Sequence, residues 1–198
     1  MGTARTPFGT LKQVDAGPLS VGYAEAGPPS GPAVLLLHGW PYDIHSYADA
    51  TPLLASAGYR VIVPFARGYG TTRFRSDDTL RNGQQAVLAT DVIDLMDALG
   101  IEQAILAGFD WGARSADVVA ALWPERCRAL VSVSGYLIGS QAANAAPLPP
   151  RAEYTWWFYA GRFSGKYEHR VIEGGIGHNL PQEAPRAFAQ AVIDVDAL

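Results

Sequence analysis

One carboxylate stands where a short turn could present it for nucleophilic attack. The segment Gly-Phe-Asp-Trp-Gly over residues 108–112 lies between a predicted strand, 103–108, and a predicted helix, 111–123. Small residues on both sides of Asp110 suit a sharp strand-to-helix turn, because such a turn leaves no room for larger neighbours. The start of the helix would stabilise the carboxylate and offer backbone N–H groups. The alternative is an Asp that only caps the helix.

An Asp in such a turn predicts a different reaction from a Ser. The pKa of an isolated Asp side chain is about 3.9, so the carboxylate is ionised at neutral pH without the help of a base. It could displace a leaving group from a saturated carbon and form an alkyl ester, which water then hydrolyses at the Asp carbonyl. A Ser would form an ether, which has no carbonyl to hydrolyse. The indicated chemistry is therefore attack on an epoxide or an alkyl halide.

A histidine in a glycine-rich loop is the second candidate. His178 follows the sequence Gly-Gly-Ile-Gly, after a predicted last strand over residues 168–172. A His in this loop could take the proton from the water that attacks the ester. The alternative is an ordinary surface-loop histidine. His38 is expected to brace the backbone at the end of a strand, and neither His45 nor His169 lies in a motif.

The loop after another predicted buried strand, 33–37, carries the sequence His-Gly-Trp-Pro over residues 38–41. Its backbone could turn the N–H of Trp40 toward Asp110. Together with the N–H of Trp111, it would form an oxyanion hole for the tetrahedral intermediate of ester hydrolysis. The alternative is a plain tight turn with a buried Trp.

The elements that must position these groups alternate between strand and helix. Turn residues between two short segments predict an N-terminal hairpin over residues 8–24. Apolar runs and periodic stripes then predict strands over 33–37, 59–64, 103–108, 128–133 and 168–172, and helices over 46–57, 82–99, 111–123 and 185–195. Asn82 is the predicted N-cap of its helix. Such alternation predicts an α/β fold, with a mostly parallel central sheet between helices.

Length and composition fit one domain and narrow the function. The chain has 198 residues, so residues 1–198 are predicted to form a single domain. Its net charge is −4, which argues against binding to nucleic acid. No apolar run is long enough to cross a membrane, and no secretion signal is apparent, which favours the cytoplasm. The lone Cys127 excludes an internal disulfide and is predicted to be a small buried residue. Neither a metal nor a cofactor is indicated.

Four motifs together resemble the α/β-hydrolases of the epoxide hydrolase and haloalkane dehalogenase group. They are His-Gly-Trp-Pro at 38–41, Arg-Gly-Tyr-Gly at 67–70, Gly-Phe-Asp-Trp-Gly at 108–112 and Gly-His-Asn-Leu-Pro-Gln-Glu at 177–183. The resemblance covers residues 20–140 and 166–195. It implies an α/β-hydrolase fold with Asp110 as nucleophile, His178 as base, and Trp40 and Trp111 at the oxyanion hole.

The substrate implied by this resemblance is a small apolar epoxide, hydrolysed with water to a diol. The aromatic residue of the His-Gly-Trp-Pro loop is more similar to epoxide hydrolases, because dehalogenases usually carry a polar residue there. Trp111 is found in both groups, and its indole N–H could also bind a halide. Dehalogenation of a haloalkane through the same two steps therefore stays open as the alternative.

Two parts of the family pattern are missing from the sequence. Family members carry a helical cap over the site, of which residues 139–165 would be a truncated remnant or linker. Tyr154 and Tyr159 in this segment are candidate proton donors to the opening epoxide, and apolar packing is the alternative for their aromatic surroundings. The family also has another strand before the His loop, usually followed by the acid that orients the His, and this strand is not found. No Asp or Glu lies between Glu125 and Glu153 to serve as that acid.

The absence of these parts predicts a lower reaction rate and a sheet with an unpaired edge. Loss of the orienting acid from a related triad can lower the rate by about 10⁴-fold. Activity is therefore expected to be weak or lost, and a non-catalytic protein that binds a small apolar ligand or a partner chain is the third hypothesis. A missing strand would leave an unpaired sheet edge, which could support a homo-dimer.

Overall fold

One mixed sheet organises the described part of the chain, which comprises residues 8–135, 168 and 170–198 of the computed structural model. Seven strands form this sheet: β1 (Lys12–Ala16), β2 (Leu19–Ala26), β3 (Ala33–Leu37), β4 (Arg60–Pro64), β5 (Arg73–Phe74), β6 (Ala104–Phe109) and β7 (Cys127–Val133). The helices are α1 (Ala50–Ser56), α2 (Gln85–Ala98), α3 (Trp111–Leu122), α4 (Leu180–Glu183) and α5 (Pro185–Asp196). Single 3₁₀ turns span Ile44–Tyr47 and Pro124–Arg126.

The strand order places the candidate residues close together, at the carboxyl ends of the parallel strands. The order is β1-β2-β4-β3-β6-β7, with β5 paired to β2. The first two strands form the predicted antiparallel hairpin, and β2 also runs antiparallel to β4. The strands β4, β3, β6 and β7 are parallel. Because the carboxyl ends of parallel strands lie on one side, the loops after β3 and β6 meet there.

Helices cover both faces of the sheet, as the alternating pattern predicts. The α2 and α3 helices pack on one face, around a core that includes Leu35, Leu106 and Met96. The α1 and α5 helices pack on the other face, around Val34 and Phe188. Both β3 and β6 lie between these layers, which explains their continuous apolar runs.

The structure corrects two predicted helix boundaries. The segment predicted as one helix over 46–57 divides into a 3₁₀ turn and α1, since the side chain of Asp43 accepts a hydrogen bond from the N–H of His45 and starts the turn earlier. Asn82 is not the N-cap of α2, which is Gln84. The Asn82 side chain instead accepts a hydrogen bond from the Gln84 N–H at 2.8 Å, within the loop before the helix.

The predicted last strand over residues 168–172 is also wrong for its described residues, which do not form a strand. A strand needs a hydrogen-bonding neighbour and one face to bury. Here Val171 is 72% exposed. Arg170 binds Glu168, two residues before it, and also Asp194 of α5, so its side chain is engaged by charge rather than by a core.

Some expectations concern residues outside the described ranges, and one concerns the length of the described helices. The truncated cap or linker predicted over 139–165, with Tyr154 and Tyr159, lies outside them. Within the described ranges, no helix combines the length and apolar character needed to cross a membrane.

Candidate active site

The turn between β6 and α3 presents Asp110 in a conformation that few side chains adopt. Its φ of 52° and ψ of −122° lie in a region rarely occupied by residues other than glycine, and strain of this kind clusters at functional sites. Asp110 is the residue before the first turn of α3, and its backbone is held by a hydrogen bond from its N–H to Val133 O. The side chain thus lies at the positive end of the helix dipole.

The flanking glycines are required by close backbone contacts. A Cβ added to Gly108 would lie 2.5 Å from the carbonyl carbon of Gly112. A Cβ on Gly112 would lie 1.9 Å from the carbonyl oxygen of Leu37 at the end of β3. The small residues predicted to permit a sharp turn therefore do so by letting α3 pack directly against two strands.

The two oxygens of the Asp110 carboxylate have different partners. Oδ1 accepts a hydrogen bond from the backbone N–H of Trp40 at 2.9 Å. Oδ2 lies 3.4 Å from Nε2 of His178 and 3.7 Å from a terminal nitrogen of Arg114. The structure therefore brings Asp110, His178 and Trp40 together, although they come from three separate segments. Asp110 itself is 8% exposed, so these contacts are only partly screened by water.

A braced loop holds the Trp40 N–H in place. Nε2 of the buried His38 accepts a hydrogen bond from the Ala66 N–H at 3.1 Å, so Nδ1 carries the proton and donates to Gly39 O. Burial lowers the pKa of His38, which favours this neutral form. The bracing role expected of His38 is what the structure shows. The Trp40 side chain is 66% exposed, so the alternative of a turn built on a buried Trp is wrong.

The loop that carries His178 is held by a carboxylate one turn further on. Glu183 accepts hydrogen bonds from the N–H groups of Gly177, at 2.6 Å, and Asn179, at 3.2 Å. The buried Asn179 side chain donates to Ser46 Oγ at 3.0 Å, which ties the loop to the turn before α1. His178 is the residue between these two anchored amides. Its position is therefore fixed, while its side chain remains 46% exposed.

No separate acid orients His178 within the described residues. Across residues 8–135, 168 and 170–198, the one carboxylate within 4 Å of its ring nitrogens is that of Asp110. The ring lies instead near two aromatic rings, with centroids 6.2 Å from Tyr42 and 6.1 Å from Phe109. Packing thus limits the orientation of the imidazole where a triad would use a carboxylate.

Trp111 begins α3, and its N–H is one of those at a helix start that no residue of the helix can accept. The guanidinium of Arg114 lies over the Trp111 ring, with its central carbon 4.7 Å from the ring centroid. Arg114 lies outside the four motifs, and Asn179 and Glu183 lie in the 177–183 motif, but none of the three was predicted to have a role at the site. The i to i+4 spacing of Asp110 and Arg114 on one helix is the signal that could have indicated the first of them.

An apolar cavity of about 450 Å³ lies beside the Trp40 loop. Part of its wall is made by Trp40, Trp111 and Leu37, and α2 supplies Leu88 and Val92. A cavity of this size and character is typical of sites for small organic molecules.

The cavity wall also contains a buried ion pair. Arg67 donates two hydrogen bonds to the Asp91 carboxylate, at 2.5 and 2.6 Å, and a third to Asn82 O at 2.7 Å. Burial raises the pKa of Asp91, and the hydrogen bonds from Arg67 oppose that rise. Because this arginine binds both Asp91 of α2 and Asn82 in the loop before it, it holds the 67–70 loop against α2 and is part of the structure of the wall.

Other reactive groups lie away from this site or are inactive. Cys127 is buried, and desolvation raises the pKa of its thiol to about 12, which leaves little reactive thiolate. Among the residues that the structure describes, no three His, Cys, Asp or Glu side chains form a group that could bind a metal ion.

The family of the chain follows from its sequence match. The family model described as the alpha/beta hydrolase fold matches residues 32–170. The chain belongs to the α/β-hydrolase family. The fold class predicted from the alternating elements and the four motifs is thereby confirmed.

Known α/β-hydrolases similar to this chain carry the name epoxide hydrolase. Epoxide hydrolase B of Mycobacterium tuberculosis is 42% identical over 105 residues, which is 52% of this chain and 29% of that protein. The bifunctional epoxide hydrolase 2 of Sus scrofa is 32% identical over 164 residues, 80% of this chain and 28% of that protein. The chain thus spans less than a third of the length of these curated relatives.

A solved structure matches at nearly full length. It is a protein of Klebsiella pneumoniae subsp. pneumoniae, provisionally assigned as an epoxide hydrolase, with 40% identity and a TM-score of 0.84. The match covers 97% of this chain and 99% of the other. The similarity therefore extends over nearly the whole of both chains.

Proposed function

We propose that this α/β-hydrolase opens small apolar epoxides through an ester on Asp110 and releases a diol. The observation that supports the proposal most directly is that the two oxygens of the Asp110 carboxylate have different partners. One oxygen binds the Trp40 N–H, and the other faces His178. The relatives named epoxide hydrolases support the choice of substrate class. We also propose that residues 1–198 form one core domain, with residues 139–165 as a cap remnant.

In the first step Oδ2 of Asp110 attacks an epoxide carbon. A carbon–oxygen bond to the carboxylate forms as the ring C–O bond breaks, and the released oxygen takes a proton. Tyr154 or Tyr159 is the proposed donor, with water as the other source. Oδ1 accepts the hydrogen bond from the Trp40 N–H at 2.9 Å, whereas the contacts of Oδ2 with His178 and Arg114 are longer, at 3.4 and 3.7 Å, so Oδ2 is the proposed attacking oxygen.

In the second step His178 removes a proton from water, and the water oxygen attacks the carboxyl carbon of Asp110. Negative charge develops on Oδ1, where the Trp40 N–H already lies within hydrogen-bond distance. The Trp111 N–H is the proposed second donor. When the intermediate collapses, the bond from the carboxyl carbon to Oδ2 breaks, the proton on His178 passes to Oδ2, and the diol leaves. Asp110 then releases the remaining proton to water and becomes a carboxylate again. The apolar cavity beside Trp40 would hold the hydrocarbon part of the substrate.

A substrate panel tests this proposal against its alternatives. The purified chain is incubated with styrene oxide and with 1-bromobutane, and diol and bromide are measured by chromatography. Diol from styrene oxide without bromide from the haloalkane is the expected result. Bromide release as the faster reaction would support dehalogenation and overturn the proposed substrate. Styrene oxide that protects the folded chain against heat but is never hydrolysed would support a binding protein and overturn the proposed reaction.

A further inference from the structure

The guanidinium of Arg114 faces the oxygen of Asp110 that the proposed reaction uses. Arg114 lies one helical turn after Asp110, with a terminal nitrogen 3.7 Å from Oδ2 and its guanidinium over the Trp111 ring. Its side chain is only 18% exposed. We propose that Arg114 stabilises the negative charge that develops on the epoxide oxygen as the ring opens. This inference rests on the proposed function and adds a residue to its first step.

The movement of charge during ring opening is the first argument. Before reaction, the negative charge near the guanidinium is on the Asp110 carboxylate. As the bond from Oδ2 to carbon forms and the ring C–O bond breaks, one electron pair moves to the epoxide oxygen, and Asp110 becomes a neutral ester. The epoxide oxygen stands on the carbon next to the esterified one, a few ångströms from Oδ2. The negative charge thus passes from Oδ2 to the epoxide oxygen, and we expect both oxygens to lie close enough to interact with the Arg114 guanidinium.

The chemistry of the guanidinium is the second argument. Arginine does not release a proton in proteins, so Arg114 can donate hydrogen bonds to an alkoxide but cannot protonate it. The proton must come from water or a tyrosine. A guanidinium has several N–H donors in a fixed plane, and the position of this guanidinium over the Trp111 ring limits its movement before substrate binds. Preorganised donors of this kind are worth far more in a partly buried site than in water.

The two oxygens of Asp110 make this role separable from a structural one. Arg114 faces Oδ2, which forms the bond to substrate. Ester hydrolysis instead places charge on Oδ1, at the Trp40 N–H. Removing the cation should therefore slow ester formation and leave ester hydrolysis nearly unchanged. A residue that merely held Asp110 in place would affect both steps.

The test measures the two steps separately in Arg114→Met, Arg114→Gln and Arg114→Lys. Excess enzyme is mixed with styrene oxide, quenched at short times, and followed by intact mass to give the rates of ester appearance and decay. The neutral variants should form the ester ~10²–10³-fold more slowly than wild type. Hydrolysis of the ester once formed should change by no more than about threefold. The lysine variant should recover part of the lost rate, because it keeps the charge without the planar donors.

Three outcomes are distinguishable. Equal slowing of both steps in the neutral variants would overturn the inference and give Arg114 a structural role. Unchanged ester formation in Arg114→Met or Arg114→Gln would also overturn it. If the folded wild-type chain forms no ester at all, the proposed function fails, and the inference falls with it. Circular dichroism confirms folding of each variant, and the use of two neutral variants keeps the test decisive if one is unfolded.

Discussion

Asp110→Asn should abolish epoxide turnover, lowering it by about 10⁴- to 10⁶-fold, the range found when a covalent nucleophile is removed. The amide keeps the shape of the side chain, and its oxygen can still accept the hydrogen bond from the Trp40 N–H. It lacks the charge needed to attack a saturated carbon. The variant should therefore keep its fold and its oxyanion hole, while the attack on the epoxide stops. Diol formation from styrene oxide, measured at equal concentrations of folded protein, checks this.

The matched control is Asp77→Asn, the same chemical change at a fully exposed carboxylate that pairs with Arg81 on the surface. It should leave turnover unchanged, since exposed ion pairs contribute little. Turnover by Asp110→Asn within tenfold of wild type would show that water attacks the epoxide directly. Asp110 would then have only a structural role, such as that of a helix cap.

Gly112→Ala should have the largest effect on stability. The added Cβ would lie 1.9 Å from the carbonyl oxygen of Leu37 and 2.8 Å from that of His38. These are backbone atoms of β3 and its following loop, so no flexible side chain can move aside. The α3 helix would have to shift away from the sheet, at a cost of about 3 kcal/mol or more. We expect a clearly lower midpoint in urea unfolding and loss of the contact between Asp110 and Trp40.

Gly83→Ala is the control for this change. No atom lies within 4 Å of the Cβ that it would add, and its backbone is not left-handed. Such a substitution is expected to be neutral or to stabilise by about 0.4–1 kcal/mol, through the unfolded state. If Gly112→Ala unfolds at the same urea concentration as Gly83→Ala, the close packing of α3 against β3 does not hold the elbow.

The parts of the site that the sequence predicted are those with local causes. The turn at Asp110 follows from glycines two residues away on either side, whose spacing reports the contact of α3 with β3 and β6. The bracing role of His38 follows from its place at the end of a buried strand. These features need only neighbours in the chain and the order of strands.

Features that depend on contacts distant in sequence were not predictable in the same way. The prediction of Asn82 as an N-cap was wrong, because its side chain binds the Gln84 N–H in the loop before the helix and its carbonyl binds Arg67, which is distant in sequence. The strand predicted over 168–172 failed because no pattern within those residues reports whether a neighbouring strand exists. The role of Glu183 depends on a loop that folds back onto its own helix start.

The contact of Arg114 with Asp110 lies between these cases. Its i to i+4 spacing was visible, but only the conformation at the elbow turns the carboxylate toward the guanidinium. An Asp in ordinary helical geometry before α3 would have pointed elsewhere. The strained φ of 52° is therefore what converts a common helix spacing into a pair at a reacting oxygen.

The most direct test of the central claim is the intact mass of His178→Gln after incubation with styrene oxide. Without the base, ester formation should proceed and ester hydrolysis should stop, so the protein should gain the mass of one epoxide molecule. Tandem mass spectrometry of the tryptic peptide covering residues 82–114 should place that mass on Asp110. A folded His178→Gln protein that gains no mass, or carries it on another residue such as Cys127, would contradict the account.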